Sequence, residues 1–194
     1  MKPCSEKDNI ERAVDNDKHT TAMWSEGGKG HYTKLDDMYE SFFKRMLPEF
    51  SGGTVLEVGP GVGEFARRML TTYDIPDYTI LDLEDNINDS KAYLQGCDLQ
   101  ANYVISQDYE SLFNKELALF VSNVCLPEVP RYYRVNLLEN VLPKCEYAFV
   151  IGGNRFSDYN EWIENVFNDC FDSVIMEETG YCNTFAIVGK KKEA

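Results

Sequence analysis

The sequence predicts an α/β domain built on a doubly wound, mostly parallel sheet of seven strands that closes with an antiparallel hairpin. Three observations predict it. From residue 54 onward, short apolar runs alternate with segments whose apolar residues recur at helical spacing. Those runs are apolar throughout, as strands covered on both faces are. The last two runs have no helical segment between them, so they pair as a hairpin, while strand–helix alternation makes the others parallel.

The elements follow in order. Residues 1–22 are polar without a clear period and read as a tail, loose or forming a short helix, leaving 23–194 as one domain. Gly27, Gly28 and Gly30 make 24–32 a loop. A helix then starts at Thr33, an N-cap with Asp36 three positions on. Leu35, Met38, Tyr39, Phe42, Phe43, Met46 and Leu47 form its buried face, and Pro48 followed by Gly52 and Gly53 ends it. The first strand is 54–58, and a helix over 64–73 turns Phe65, Ala66, Met69 and Leu70 inward. The second strand is 78–81, with a short helix at 89–95. The third strand is 103–105 and the fourth 117–122. A helix over 131–142 turns Val135, Leu138 and Val141 or Leu142 inward. The fifth strand is 147–151, and a helix over 158–170 carries Trp162, Ile163, Val166 and Phe167. Strands at 173–177 and 184–188 form the hairpin.

Charge and cysteine usage narrow the function classes. The formal net charge of -14 on 194 residues repels phosphate backbones and anionic membranes, so nucleic acid is a poor partner. The six cysteines form no Cys-x-x-Cys pair and none lies near a histidine at metal-ligand spacing. Residues 1–20 have no apolar core of a signal peptide, and no apolar run nears the roughly 20 residues of a membrane span. The expectation is a cytoplasmic protein with reduced thiols and no resident metal.

The chemistry starts at the end of the first strand. Gly59, Gly61 and Gly63 form a loop that brings backbone close to a ligand and leads into a helix N-terminus with unpaired N–H groups. The dinucleotide fingerprint needs a sixth-position glycine, and Glu64 stands there instead. Glu57 leads the loop, and a carboxylate there resists a pyrophosphate but suits a ligand with a cationic amino group and a sulfonium. Asp82 closes the second strand 25 residues after Glu57, where an acid accepts ribose hydroxyls. Gln107 and Asp108 follow the third strand and can reach an adenine amino group.

The run Val55-Leu56-Glu57-Val58-Gly59-Pro60-Gly61-Val62-Gly63-Glu64-Phe65-Ala66 resembles motif I of the class I S-adenosylmethionine (SAM)-dependent methyltransferases. The resemblance spans roughly residues 30–190, on the order of strands and helices above. It implies a Rossmann-like fold, SAM as cofactor, and a cofactor site of Tyr32, Glu57, Gly59, Pro60, Gly61, Gly63, Asp82, Leu83, Gln107, Asp108 and Asn123. It also implies that 23–48 fold over the cofactor as a lid. A narrower similarity, to a family of sugar O-methyltransferases, rests on residues 59–67, on Tyr78 to Leu83 followed by Lys91-Ala92-Tyr93-Leu94, and on Pro127-Glu128-Val129-Pro130. It implies a sugar or glycan precursor as the methyl acceptor.

A hydroxyl acceptor needs alignment and a route for its proton. The loop after the fourth strand lacks the Asn-Pro-Pro-Tyr pattern of amino-methylating nucleic-acid enzymes and the acid set of metal-dependent catechol enzymes. Glu128 is its candidate base, set against a helix-start acid favoured by the dipole. His31, in the glycine-bearing loop, is the other candidate, set against an exposed loop histidine. Arg131, Arg134 and Arg155 can pair with a phosphate or carboxylate on the acceptor, or with surface acids. Cys125 reads as a small apolar filler. Two rival functions stay open: a SAM-binding regulatory partner without catalysis, and a methyltransferase for a non-sugar metabolite.

Overall fold

Apolar strands that alternate with amphipathic helices have one stable solution, a sheet sandwiched between helix layers. A computed structural model of the chain, describing residues 32–153, 157–180 and 184–191, has that architecture. Its elements are α1 (Tyr32–Met46), β1 (Gly52–Val58), α2 (Glu64–Thr72), β2 (Asp74–Asp82), α3 (Glu84–Gly96), β3 (Asn102–Ile105), a 3-10 turn (Ser106–Leu112) and β4 (Leu117–Asn123). There follow α4 (Arg131–Val141), a second 3-10 turn (Leu142–Lys144), β5 (Cys145–Gly153), α5 (Ser157–Cys170), β6 (Ser173–Glu178) and β7 (Thr184–Lys190). The expected tail, residues 23–31 of the lid segment with His31, and Arg155 lie outside the described residues.

The seven strands run in the order β3-β2-β1-β4-β5-β7-β6. Neighbours from β3 to β5 are parallel, and β7 is antiparallel to both β5 and β6, as the missing helix between the last two runs requires. The order reverses between β1 and β4, which makes that the topological switch point, beyond whose carboxyl strand ends ligands bind in open α/β sheets. Alternation along β1 feeds two cores. Leu56 and Val58 pack with Leu137, Leu138 and Val141 of α4 and with Ile163 and Phe167 of α5. Val55 packs on the other face with Tyr39, Phe43 and Met46 of α1 and with Phe65, Ala66 and Met69 of α2. Phe43 is fully buried and meets Phe50, Phe65, Tyr73 and Phe149 edge to face, which fixes α1 to the sheet.

Several expected boundaries move. α1 already begins at Tyr32, so Thr33 lies inside the helix and is not its cap. β2 begins four residues early, at Asp74, and its Pro76 is tolerated because the β1–β2 register slips between Gly52 and Thr54. α3 starts at Glu84 instead of 89. Its only buried side chains are Ile87, Ser90 and Leu94, too few to give a periodic signal over the first turn. Along α4, Leu137 is buried where Val135 was expected to be, and Val135 is half-buried. The 3-10 turn over Ser106–Leu112 holds the segment read as the loop after β3.

Candidate functional site

The loop between β1 and α2 owes its shape to its glycines. Gly59 has φ 71°, and a β-carbon there would meet Cβ and Sγ of Cys125 at 2.3 Å. Gly61 has φ 57° and open space where its β-carbon would be. The loop thus packs against the β4–α4 connection at one glycine and presents bare backbone at the other. Gly63 leads directly into α2, and the Gly63 N–H donates to the carbonyl of Pro60 (3.0 Å).

Two carboxylates flank this loop in different ways. Glu57 is fully buried at the end of β1, and its Oε2 accepts a hydrogen bond from the Tyr78 hydroxyl (2.8 Å). Burial and the Glu57 charge push the Tyr78 phenol well above its usual range. Glu64, at the first position of α2, accepts from Arg67 (2.7 Å), from Arg68 (2.8 Å) and from the Tyr93 hydroxyl. Burial opposes its ionisation, but the hydrogen bonds from Arg67, Tyr93 and Arg68 outweigh it and hold the carboxyl down at about 2. Arg68 also reaches Asp37 (2.7 Å) and Glu40 (2.6 Å) of α1. One guanidinium therefore ties the helix of the segment expected as a lid to the helix that follows the glycine loop.

Asp82 ends β2. Its Oδ1 accepts from the Leu83 N–H (2.7 Å) and from Asn86 (2.9 Å), which fastens the start of α3. Its Oδ2 is buried without a hydrogen-bond partner among the described residues. Burial raises the carboxyl's pKa, partly offset by Asn86 and the Leu83 N–H. Leu83 beside it is 59% exposed, a large apolar side chain open to solvent. Gln107 and Asp108 are exposed on the 3-10 turn after β3. Inward of them, Tyr109 stacks on Tyr133 (4.2 Å between ring centres), Tyr133 donates to the carbonyl of Ser106 (3.2 Å), and Asn136 donates to the Tyr109 hydroxyl (2.6 Å).

At the end of β4, Ser122 donates to the carbonyl of Val58 (3.0 Å) and locks β4 to β1. Asn123 is half-buried, with both ends of its amide buried and unpartnered among the described residues. Val124 follows with φ 64°, a left-handed conformation that a β-branched residue almost never adopts, held by its N–H bond to Ile151 (2.7 Å). Such strain costs on the order of 1–3 kcal/mol and gathers at functional sites. Cys125 fills the space against Gly59. Burial, then the charges of Asp82, Glu128 and Glu57, push its thiol up to about 12, so it stays neutral.

The structure brings Glu57, the 59–63 loop, Asp82, Leu83, Asn123 and Glu128 to one sheet edge. Glu128 and Arg131 are exposed on and after the β4–α4 connection. Tyr32 begins α1. Sequence reasoning missed Val124, Tyr109 and Tyr133. A valine carries no signal for a left-handed turn, and the tyrosine pair meets only across the fold. Among the described residues no helix is long and apolar enough to cross a membrane.

No family model and no curated protein matches the sequence. Solved structures do match. Magnesium protoporphyrin IX methyltransferase from Synechocystis PCC 6803, determined with bound SAM, superposes with a TM-score of 0.69 over 99% of this chain and 100% of its own, at 12% identity. An O-methyltransferase family protein from Burkholderia thailandensis gives 0.66 over 100% of this chain and 65% of its own, also at 12% identity. The methyltransferase domain of bacterial CtHen1 gives 0.65 over 80% and 99%, at 11%. This is the Rossmann-like methyltransferase fold. The mostly parallel seven-stranded sheet with its antiparallel carboxyl-terminal strands is what these proteins share with the chain.

Proposed function

We propose that this chain transfers a methyl group from SAM to a hydroxyl of a small molecule, with a sugar or glycan precursor as acceptor. The observation that carries the reading is the buried, partnerless Oδ2 of Asp82 beside the glycine loop. An acceptor atom desolvated without a donor costs about 1–3 kcal/mol, which ribose hydroxyls would relieve.

The residues present fit the cofactor. The open side of Gly61 leaves room for a ligand against bare backbone. Gly59, Pro60 and Gly63 complete the cradle. Glu57, Asp82 and Glu128 give the crevice a negative field that suits a cation and resists a pyrophosphate. Leu83 offers an apolar surface to an adenine ring, Gln107 and Asp108 offer polar atoms to its edge, and Asn123 offers both a donor and an acceptor. Tyr32 contacts the methionine part, and residues 23–48 cover the cofactor. When bound, SAM supplies a methyl group on a sulfonium, open to in-line attack.

The chain's own part is to hold the acceptor oxygen in line and take its proton. His31 and Glu128 are the candidate bases, and Arg131 and Arg155 the candidate acceptor contacts. The net charge of -14 argues for a small acceptor over a nucleic acid. The sugar acceptor rests on the resemblance of residues 59–67, 78–83, 91–94 and 127–130.

Calorimetry with S-adenosylhomocysteine and with NAD tests the cofactor, and tighter NAD binding overturns it. Release of S-adenosylhomocysteine with hydroxylated sugars tests the transfer, and binding without release would select a non-catalytic SAM-binding protein. In single-turnover transfer, His31→Ala or Glu128→Gln, whichever removes the base, lowers the rate by roughly 10²–10⁴. Near-normal rates in both would assign the acceleration to positioning.

A further inference from the structure

Among the described residues, Asp82, Asn123, Arg134 and Tyr159 carry buried polar atoms without a hydrogen-bond partner. All four stand at or just beyond the carboxyl ends of the strands. Buried polar groups are nearly always paired, so such a gathering marks a place shaped for something polar. The cofactor reading uses Asp82 and Asn123. Arg134 and Tyr159 remain.

Arg134 sits in the first turn of α4. Its Nη1 donates to the carbonyls of Pro127 (3.1 Å), Val129 (3.2 Å) and Leu126 (3.4 Å), which clamps the loop that carries Cys125 and Glu128. Its guanidinium carbon lies 5.2 Å from the ring centres of both Tyr159 and Trp162 on α5. Those contacts fix its plane and leave its other edge over. Nε is buried and unpartnered. No salt bridge joins Arg134 to a carboxylate among the described residues, although the chain has 33 acids. The Nε–Nη2 edge of a guanidinium is a planar fork that matches a carboxylate or phosphate with two parallel bonds.

Tyr159 is 2% exposed, and its hydroxyl has no partner among the described residues. Its ring lies against Gly152, where an added β-carbon would meet ring carbon Cε1 at 3.0 Å. Gly152 follows Ile151, which pairs with Asn123 at the end of β4. The arginine edge and the tyrosine hydroxyl thus stand on the α4–α5 side of the crevice, across the β4 end from the acids around Cys125.

The geometry points to an oxyanion site: the Nε–Nη2 edge of Arg134 and the Tyr159 hydroxyl hold a carboxylate or phosphate of the acceptor. Resting on the methyl-transfer reading, this makes the small-molecule substrate an acid, such as a uronate or a sugar phosphate. The crevice is then charge-polarised, with acids at the cofactor end and Arg134 at the acceptor end.

The chain has two tryptophans, so Trp24→Phe leaves Trp162, stacked on Arg134, as its only indole. That full-length protein is titrated with D-glucuronate, D-glucose 6-phosphate and uncharged D-glucose at matched ionic strength, following indole fluorescence without added cofactor. One or both acids should bind at least about tenfold tighter than glucose, and which one does identifies carboxylate or phosphate. Arg134→Gln should abolish that preference and Arg134→Lys restore part of it. Tyr159→Phe, which leaves the loop clamp intact, should weaken the preferred acid about threefold to tenfold, as loss of one hydrogen bond does. Equal binding of acids and glucose, or an undiminished preference in both Arg134→Gln and Tyr159→Phe, overturns the site. Calorimetry of the same samples with S-adenosylhomocysteine keeps its failure separate from that of the cofactor reading.

Discussion

The two halves of the sheet's carboxyl edge treat their polar groups in opposite ways. Around the ends of β1 and β2, the carboxylates find hydrogen-bond donors within the fold. Glu57 accepts from Tyr78, Glu64 is held by Arg67, Arg68 and Tyr93, and one oxygen of Asp82 is engaged. Around β4, α4 and α5, the Asn123 amide, Arg134 Nε and the Tyr159 hydroxyl have no hydrogen-bond partner among the described residues, and Asn123 adjoins the strained Val124. The first half is a preformed frame with a single open oxygen. The second is a set of donors and acceptors positioned by packing and completed from outside. A fixed frame suits a ligand common to many enzymes, and an open set suits a ligand particular to one.

Four substitutions sharpen that contrast, and the largest effect falls on the tightest point of the frame. Gly59→Val drives a branched side chain into Cys125 at a left-handed position. Affinity for S-adenosylhomocysteine should fall at least about a hundredfold in calorimetry, and unchanged binding would mean that the loop does not cradle the ligand.

Glu64→Gln tests the matched charges. Its carboxyl is held near 2 in the fold against an ordinary value of 4.5, so its contribution, on the order of 3 kcal/mol, is fully present above that value. It is lost as the pH falls through the folded value. Urea titrations should therefore show wild type more stable than the variant at pH 7, with the gap closing by pH 2–3. A gap that persists in acid would refute the linkage.

Asp82→Asn separates function from stability. Burial raises this carboxyl's pKa, so the ionised form costs folding stability, and the cost disappears as the pH falls through the raised value. The asparagine should melt at the same or a higher temperature at pH 7, because its Oδ1 can still accept from the Leu83 N–H. Cofactor affinity should fall roughly tenfold. Loss of both stability and affinity would make Asp82 a structural residue.

Gly61→Ala should do least. The position is left-handed but faces open space, so only backbone strain of about 1 kcal/mol is added, a drop of about 2–4 °C in Tm. A fall beyond about 10 °C would mean that the loop is packed where it is drawn open.

The same contrast explains what could be read from the sequence. The frame is written locally: the 59–63 loop follows one strand, Asp82 ends the next, and each residue type carries its chemistry in place. Parallel pairing and the closing hairpin were legible for a similar reason, since alternation and a missing helix are features of neighbouring segments. The acceptor half draws Asn123, Arg134, Tyr159 and Trp162 from three elements, and no spacing announces a guanidinium between two rings. Arg134 was one basic residue of three until packing singled it out. α3 was cut short for a different reason, because its first turn is fastened by the Asp82 carboxylate and not by apolar periodicity.

The sheet's two outer borders carry a consequence for how copies of the protein behave in company. An unpaired strand border is a template on which another chain can stack. At one border β3 offers only four residues. At the other, β6 ends in Glu177 and Glu178, with Glu177 held by Arg45 (2.6 Å), and only Ile175 stands out as an exposed large apolar side chain. Brevity on one flank and charged side chains on the other discourage edge-to-edge aggregation, so crowding and overexpression are met by a sheet with little to offer a neighbour.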